Sequence, residues 1–224
     1  MYKYVLFDLD GTLTDSAPGI KNSVIYALDK FGIKATHEEL DCFIGPPLVD
    51  SFMEYYGFSK EDADKAVVFY REYFSEKGIF QNEVYEGVPE VLAELKNSGA
   101  KLALATSKPK PFADRILKHF DLEKYFDVVC GATFDGNLSK KGDIVRLALE
   151  ELGANKDESI LVGDRKHDVY GAHENGIPCL AVLYGYGDRQ ELEACHADFI
   201  TDKLNLLSFK KESRQRKLSL RKVM

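Results

Sequence analysis

Two aspartates separated by one residue follow a short apolar run near the start of the sequence. The run Tyr4-Val5-Leu6-Phe7 ends at Asp8-Leu9-Asp10-Gly11, a pattern typical of a buried strand that ends in a loop. Two carboxylates this close repel each other unless a cation lies between them. A divalent cation such as Mg²⁺, which prefers oxygen ligands, would relieve that repulsion. The pattern therefore predicts chemistry at a strand end, where open α/β sheets bind their ligands.

Three later segments supply groups that complement this pair. Thr106-Ser107-Lys108 follows a predicted strand at 101–105, Lys140-Lys141-Gly142 lies at the start of a predicted helix, and Gly163-Asp164 ends an apolar run and leads to Asp168. Hydrolysis of a phosphate ester needs groups that neutralise the developing charge, hold the nucleophile in line and protonate the leaving oxygen. Hydroxyl, ammonium and carboxylate groups can fill these roles.

The four segments, in this order, resemble the motifs of the haloacid dehalogenase-like phosphohydrolase superfamily. The first motif, D-x-D-G-T-L-x-D-S, is complete over residues 8–16. The resemblance implies that Asp8 is the nucleophile of an aspartyl-phosphate intermediate, and that Asp10 acts first as general acid and then as general base. Haloacid dehalogenation is not expected, because dehalogenases of the superfamily lack the second aspartate.

The resemblance also implies a set of binding residues. Thr106 would donate a hydrogen bond to a phosphoryl oxygen, with Ser107 and Lys108 beside it at the substrate. A Mg²⁺ ion would be held by Asp8, the backbone carbonyl of Asp10 and Asp164, with Asp168 orienting the metal shell or the lysine. These metal-site residues are Asp8, Asp10, Asp164 and Asp168.

The position of the phosphate-neutralising lysine stays open between two neighbours. The usual Lys-Pro of the third motif is replaced here by Lys140-Lys141-Gly142. Alignment of the residues that follow favours Lys141 over Lys140. A lysine at a helix start is disfavoured by the helix dipole, which points to a functional reason for it.

The periodicity predicts an α/β fold with an insertion. Residues 17–83 carry helical signals, whereas strand and helix patterns alternate from residue 84 onward, which predicts a parallel sheet with helices on both faces. We expect a Rossmann-like core at 1–16 and 84–202, an all-helical cap at 17–83 and a basic tail at 203–224. The cap, especially Gly45 and Pro46 in a Gly-Pro-Pro turn, is expected to select the substrate.

Composition bounds the remaining expectations. The 224 residues carry a net charge of −7, with a tail from Lys203 that holds eight Lys or Arg and one Glu. We expect no nucleic-acid partner for the acidic body. The tail is expected to be either a solvated end or a basic amphipathic helix that contacts nucleic acid, anionic lipid or a protein partner. The cysteines are scattered without CxxC spacing, no apolar run could span a bilayer, and no signal-peptide pattern is present. These features favour a cytoplasmic protein, either a monomer or a homodimer.

The predicted function is a Mg²⁺-dependent phosphatase of small phosphorylated metabolites. The motifs most resemble the phosphoglycolate phosphatase-like branch. The alternatives are a 5'-nucleotidase, a pyrophosphatase or a β-phosphoglucomutase-type phosphomutase on the same fold. A regulatory or scaffold protein on this fold is the alternative that is not an enzyme.

Overall fold

The computed structural model describes residues 1–210 of the chain. Six strands form one parallel sheet. In chain order they are β1 (Tyr4–Phe7), β4 (Lys101–Pro109), β5 (Val128–Ala132), β6 (Ser159–Gly163), β7 (Cys179–Val182) and β8 (Phe199–Thr201). Their spatial order is β5-β4-β1-β6-β7-β8. This is the predicted Rossmann-like α/β core.

Helices cover both faces of this sheet, as the alternating pattern predicts. They are α4 (Val88–Asn97), α5 (Lys110–His119), α6 (Lys141–Leu152), α7 (Lys166–Glu174) and α8 (Arg189–Ala194). Along β1, Val5 and Phe7 belong to the core cluster that holds the apolar side chains of α4 and α5, whereas Leu6 belongs to the cluster that holds those of α6 and α7. Successive side chains of a strand point to opposite faces, so an apolar run buries both.

A block of helices is inserted immediately after β1. We call residues 17–80 the helical insert; it contains α1 (Ala17–Asp29), α2 (Leu48–Tyr56), α3 (Lys60–Glu76) and short 3₁₀ turns at Glu38–Phe43 and Gly78–Phe80. Ser59 is the N-cap residue of α3, a position that favours serine, and its side chain accepts a hydrogen bond from the Asp62 amide. The side chains of Phe43 and Phe52 pack edge to face, 5.0 Å between ring centroids, within the insert.

A two-stranded antiparallel ribbon joins the insert to the sheet. Its strands are β2 (Thr14–Asp15) and β3 (Glu83–Val84), with Thr14 opposite Val84 and Asp15 opposite Glu83. Both crossings between the insert and the rest of the chain therefore lie side by side, next to the end of β1.

The core extends beyond the boundary predicted at residue 202. Phe209 is fully buried, its ring lies 6.2 Å from that of Phe7, and its carbonyl accepts a hydrogen bond from the Tyr2 amide. Leu204 is buried as well. The basic composition from Lys203 onward misled the prediction, because two apolar side chains within it pack under the sheet. Residues 211–224 of the predicted tail lie outside the described residues.

Strand register brings the four motifs together. Phe7, the last residue of β1, pairs with Leu104 on one side and Val162 on the other. Because the strands are parallel, the segments that follow them emerge at one edge of the sheet. β1 is also where the strand order reverses, and such a switch point opens a crevice for ligands.

Candidate active site

Asp8 and Asp10 lie in the loop that leaves the central strand. The Asp8 amide donates to the Val162 carbonyl at 2.9 Å, which continues the ladder with β6 by one residue. The chain then turns sharply at Gly11, whose φ of +79° favours glycine. A Cβ at Gly11 would lie 2.1 Å from Oδ2 of Asp164, so any larger residue would displace that carboxylate.

The structure distinguishes between the two candidate lysines. Lys141 is buried, and its Nζ lies 2.6 Å from Oδ1 of Asp8 and 2.7 Å from Oδ1 of Asp168. Lys140 is the exposed N-cap residue of α6. Burial alone would lower the pKa of Lys141, but Asp168 and Asp8 raise it above its ordinary value. The ammonium group therefore keeps its charge next to Asp8.

Asp164 is fully buried at the end of β6 and is held by two donors. Its Oδ1 accepts from the Thr12 hydroxyl at 3.3 Å, and its Oδ2 accepts from the Tyr186 amide at 2.7 Å. Burial raises the pKa of Asp164 well above its ordinary value, and the neighbouring Asp168 and Asp8 raise it further.

Asp168 is placed to orient its neighbours. Its Oδ2 accepts hydrogen bonds from the amides of Asp164 and Arg165 at 3.1 and 3.0 Å, in the first turn of α7. Its Oδ1 lies against Lys141, as described above. One carboxylate thus fixes both the turn that carries Asp164 and the ammonium group that faces Asp8.

Thr106 and Lys108 end β4 beside the two aspartates. Thr106 is buried, and its Oγ1 accepts a hydrogen bond from the Lys108 amide at 3.2 Å. The Lys108 Nζ lies 3.1 Å from Oδ2 of Asp10, with only 6% of the lysine side chain exposed. Ser107, the third residue predicted here, is exposed. The structure therefore brings Lys108 to Asp10 and buries Thr106 next to Lys108, whereas the side chain of Ser107 is exposed.

Helix α3 of the helical insert contacts this site. The Lys108 Nζ lies 4.5 Å from the ring centroid of Phe74 in α3, a cation–π contact. Tyr70, one turn earlier in α3, is buried, and burial together with the charge of Asp10 raises the pKa of its hydroxyl. Side chains of α3 therefore contribute to the surroundings of Asp10.

Gly45 and Pro46 lie near a second bridge between the insert and the core. The Arg165 Nη1 donates to the Ile44 carbonyl at 2.8 Å, and a Cβ at Gly45 would lie 3.2 Å from the same nitrogen. Glu191 holds the other side of the guanidinium, accepting from Nε at 2.8 Å. The predicted substrate turn is thus next to Arg165, the residue that follows Asp164.

The side chains around Asp8 fit a divalent cation. Carboxylate oxygens of Asp8, Asp164 and Asp168 all lie within 4.8 Å of one another. With Asp10, four carboxylates face the two ammonium groups of Lys108 and Lys141, so two negative charges are unbalanced when all are ionised. Burial raises the pKa of Asp8 to about 6 even though Lys141 opposes that shift. A cluster of oxygen ligands with an excess of negative charge suits Mg²⁺.

One carboxylate oxygen of Asp10 is available to accept a hydrogen bond from a ligand. Its Oδ1 is buried and has no hydrogen-bond partner among the described residues. A buried carboxylate oxygen without a partner is costly, and its usual explanation is a group that binds there. Asp10 itself is not in the acidic cluster, which agrees with the expectation that only its backbone carbonyl would reach a metal.

A loop of tyrosines and glycines lies behind Asp164, and sequence reasoning treated it only as a connection. Tyr184–Gly187, which we call the tyrosine loop, follows β7. A Cβ at Gly185 would lie 2.3 Å from the Gly11 carbonyl and 2.4 Å from Cβ of Asp164. The repeated Tyr-Gly pairing was the available signal, since glycines between large aromatics indicate close approach of backbone to a neighbour.

Comparisons with known proteins place this geometry in a family. The family model described as haloacid dehalogenase-like hydrolase matches residues 5–182. The chain belongs to this family. The match spans all four motifs, from Asp8 to Asp168, which are the residues that the structure brings to one edge of the sheet.

Individual relatives agree with this assignment. The chain is 43% identical over 194 residues to a 5'-nucleotidase of Pseudomonas aeruginosa, covering 86% of this chain and 88% of that protein. It is 42% identical over 197 residues to the tyrosine-protein kinase PtkA of Mycobacterium tuberculosis, and it spans only 64% of that protein. The crystal structure of a predicted phosphatase from Clostridium acetobutylicum superposes with a TM-score of 0.88 at 46% identity, covering 98% and 99% of the two chains.

These findings establish the general activity. The protein is a haloacid dehalogenase-like hydrolase that acts on phosphate esters. The suggestion of a purely regulatory or scaffold protein therefore loses its basis. Among residues 1–210, no helix is long and apolar enough to cross a membrane.

Proposed function

We propose that the protein is a Mg²⁺-dependent phosphatase that hydrolyses small phosphomonoesters through an aspartyl-phosphate at Asp8. The observation that carries the proposal is the convergence of Asp8, Lys141 and Asp164 at the end of β1. A nucleophile, a charge-neutralising ammonium group and a metal-ligating carboxylate in one pocket meet the main needs of phosphoryl transfer.

In the first half-reaction Asp8 attacks the phosphorus atom and Asp10 protonates the leaving oxygen. Lys141, at the start of α6 beside Asp8, and the hydroxyl of Thr106, near the end of β4, are the groups proposed to bind phosphoryl oxygens. In the second half-reaction Asp10, now ionised, accepts a proton from water, which attacks the phosphorus and frees Asp8. Carboxyls with different environments suit this division of roles, since one must be ionised and the other must carry a proton.

The metal would be held by Asp8, Asp164 and the backbone carbonyl of Asp10, with Asp168 orienting the site. When bound, Mg²⁺ supplies positive charge that offsets the negative charge of the phosphoryl group and of the carboxylates. The hydrogen bonds from Thr12 and Tyr186 fix the Asp164 carboxylate in place for this role. Asp168 is assigned the orienting role because its Oδ2 accepts from the amides of Asp164 and Arg165 and its Oδ1 lies against Lys141.

The helical insert, as part of a cap at residues 17–83, is proposed to select the leaving group. Phe74 of α3 lies against Lys108, and the turn that holds Gly45 and Pro46 lies against Arg165, so two parts of the insert contact residues next to the site. Two substrate classes remain in the proposal. The 43% identity to a 5'-nucleotidase supports a nucleoside 5'-monophosphate, and the motif pattern supports phosphoglycolate.

A substrate panel tests this function. Purified protein is assayed for phosphate release from nucleoside monophosphates, phosphoglycolate, sugar phosphates and pyrophosphate, each with Mg²⁺ and with excess EDTA. The proposal predicts release that depends on Mg²⁺, with one class preferred. Isomerisation of a sugar phosphate without phosphate release would instead identify a mutase. Labelling of a protein tyrosine from ATP would identify a kinase like the mycobacterial relative.

A further inference from the structure

The start of the helical insert is capped from outside its own helix. Helix α1 begins at Ala17, and its N-cap residue Ser16 makes no side-chain capping bond. The first amides of a helix have no partner within the helix and must find one elsewhere. The Ser16 and Ala17 amides both donate to the hydroxyl oxygen of Tyr186, at 2.8 and 3.0 Å. The Ala17 amide also donates to Oδ1 of Asp15 at 3.1 Å.

Tyr186 also forms hydrogen bonds with Asp15, the last residue of β2, and with Asp164. Its hydroxyl donates to Oδ1 of Asp15 at 2.8 Å, and its backbone amide donates to Oδ2 of Asp164 at 2.7 Å. A single residue of the tyrosine loop therefore contacts the last residue of β2, the first turn of α1 and a carboxylate of the proposed metal site. The hydroxyl thus accepts hydrogen bonds from two backbone amides and donates one to Asp15.

The neighbouring tyrosine makes a related contact on the other side of the crossing. The Tyr184 hydroxyl donates to the Thr12 carbonyl at 2.8 Å, and its ring packs on that of Tyr85 at 4.8 Å, just after β3. Tyr184 thus contacts Tyr85, in the segment that leaves the insert after β3, whereas its hydroxyl bonds to Thr12 and not to the amides of Ser16 and Ala17. It provides a matched control for the loss of one buried hydroxyl.

We propose that Tyr186 is a positioning residue, which fastens the entry of the helical insert to the loop that holds Asp164. The location of the insert over the site and the orientation of Asp164 are then set together. The part of this proposal that concerns the metal and the substrate rests on the proposed function. The fastening of the insert does not, because it is a property of the protein without metal.

Hydrogen–deuterium exchange of the metal-free protein tests the fastening directly. Tyr186→Phe keeps the ring and the backbone amide and removes only the hydroxyl. Exchange at Ser16 should then accelerate by about tenfold or more, as expected for loss of a hydrogen bond. Exchange at Ala17 should accelerate less, because its amide still donates to Oδ1 of Asp15. Tyr184→Phe should leave exchange at these two amides as in the unmodified protein. Unchanged exchange in Tyr186→Phe, or equal acceleration in both variants, would overturn the proposal.

Metal binding and kinetics test the coupling to the site. In the unmodified protein, Mg²⁺ should slow exchange at Ser16 and Ala17, and this response should be lost in Tyr186→Phe. Because fewer molecules hold the insert in place, KM should rise about fivefold while kcat changes little. A lower kcat at unchanged KM would indicate only loss of folded enzyme and would contradict a positioning role.

The outcomes separate this inference from the proposed function. If the unmodified protein binds no Mg²⁺ and releases no phosphate, the proposed function fails. The exchange rates of the metal-free variants then still decide whether Tyr186 fastens the insert. If phosphate release requires Mg²⁺ but the exchange rates of Tyr186→Phe equal those of the unmodified protein, the function stands and the positioning role is wrong.

Discussion

The Nζ atom of Lys141 lies 2.6 Å from Oδ1 of Asp8, in a site where the lysine side chain is 6% exposed and the aspartate side chain 14% exposed. A second carboxylate, Asp168, holds the same ammonium group at 2.7 Å. A buried charge without a partner is very costly, so the two carboxylates and the lysine depend on one another. The pair fixes Asp8 in the orientation that the proposed nucleophile needs.

Lys141 should therefore be essential, whereas Lys140 should not. Lys141→Ala removes the partner of Asp8 and a cation beside the transferred phosphoryl group, so kcat/KM should fall by about a hundredfold or more. Lys140→Ala removes an exposed side chain and should change kcat/KM less than about twofold. The pair is compared on the best substrate of the panel, and circular dichroism checks that both variants fold. Similar small losses in both variants would contradict the placement of Lys141.

Lys108 should matter for the same reaction through Asp10. Its Nζ lies 3.1 Å from Oδ2 of Asp10 and is buried against Phe74. Lys108→Met keeps the aliphatic stem but removes the charge, and we expect a loss of about tenfold to a hundredfold in kcat/KM.

Lys110→Met is the control for this change. Lys110 is exposed, and within residues 1–210 its ion pair is with Asp114 of the same helix, α5. Exposed pairs of this kind contribute little, so the control should keep nearly full activity. An equal effect of both substitutions would show that the contact between Lys108 and Asp10 does not serve the reaction.

The affinity for Mg²⁺ should weaken in acid. In the metal-free protein burial raises the pKa of Asp8 to about 6, so below that pH the carboxyl carries a proton that a metal must displace. The apparent dissociation constant should rise by up to about tenfold for each pH unit below 6. Above pH 6 the ionisation of Asp8 should no longer change it. Isothermal titration calorimetry from pH 5 to 8 measures this dependence. Tighter binding at pH 5 than at pH 7 would contradict the assignment of Asp8 as a ligand.

The end of the core can be located by two truncations. Ending the chain after Lys210 keeps Phe209, which is buried against Phe7, and should leave the melting temperature and activity nearly unchanged. Ending it after Asp202 removes Leu204 and Phe209 and should cost about 3–5 kcal/mol of stability, as for loss of a large buried aromatic. Equal melting temperatures for the two truncated proteins would show that these residues do not stabilise the core.

The sequence predicted those parts of the site that follow from local pattern. Apolar runs ending at Asp8, Thr106 and Asp164 identified three strand ends, and parallel pairing then required them to meet at one edge of the sheet. That inference needs only periodicity and the rule that strands of one parallel sheet end together. The choice between Lys141 and Lys140 needed more: alignment with the family motif favoured Lys141, and the structure distinguishes them by burying Lys141 against Asp8 and exposing Lys140.

Other contacts depend on how distant segments fold back and left no local signal. The hydroxyl of Tyr186 meets the amides of Ser16 and Ala17 only because the loop after β7 lies beside the ribbon of β2 and β3. The bond from Arg165 to the Ile44 carbonyl likewise depends on where the insert sits. Phe209 was missed for a different reason: the tail was defined by its eight Lys or Arg from Lys203 onward, and the apolar residues at its start, Leu204, Leu206, Leu207 and Phe209, were counted with it.

The most direct test of the central claim is to trap the phosphorylated aspartate. Asp10→Asn removes the general acid of the first half-reaction and the general base of the second but keeps Asp8, so the substrate is p-nitrophenyl phosphate, whose leaving group departs without a proton. Incubated with substrate and Mg²⁺ and then quenched in acid, this variant should gain the mass of one phosphoryl group, located by peptide mass spectrometry on Asp8. Asp8→Asn, treated identically, should gain none. Full hydrolytic activity of Asp8→Asn, or a phosphoryl group on any residue other than Asp8, would contradict the account.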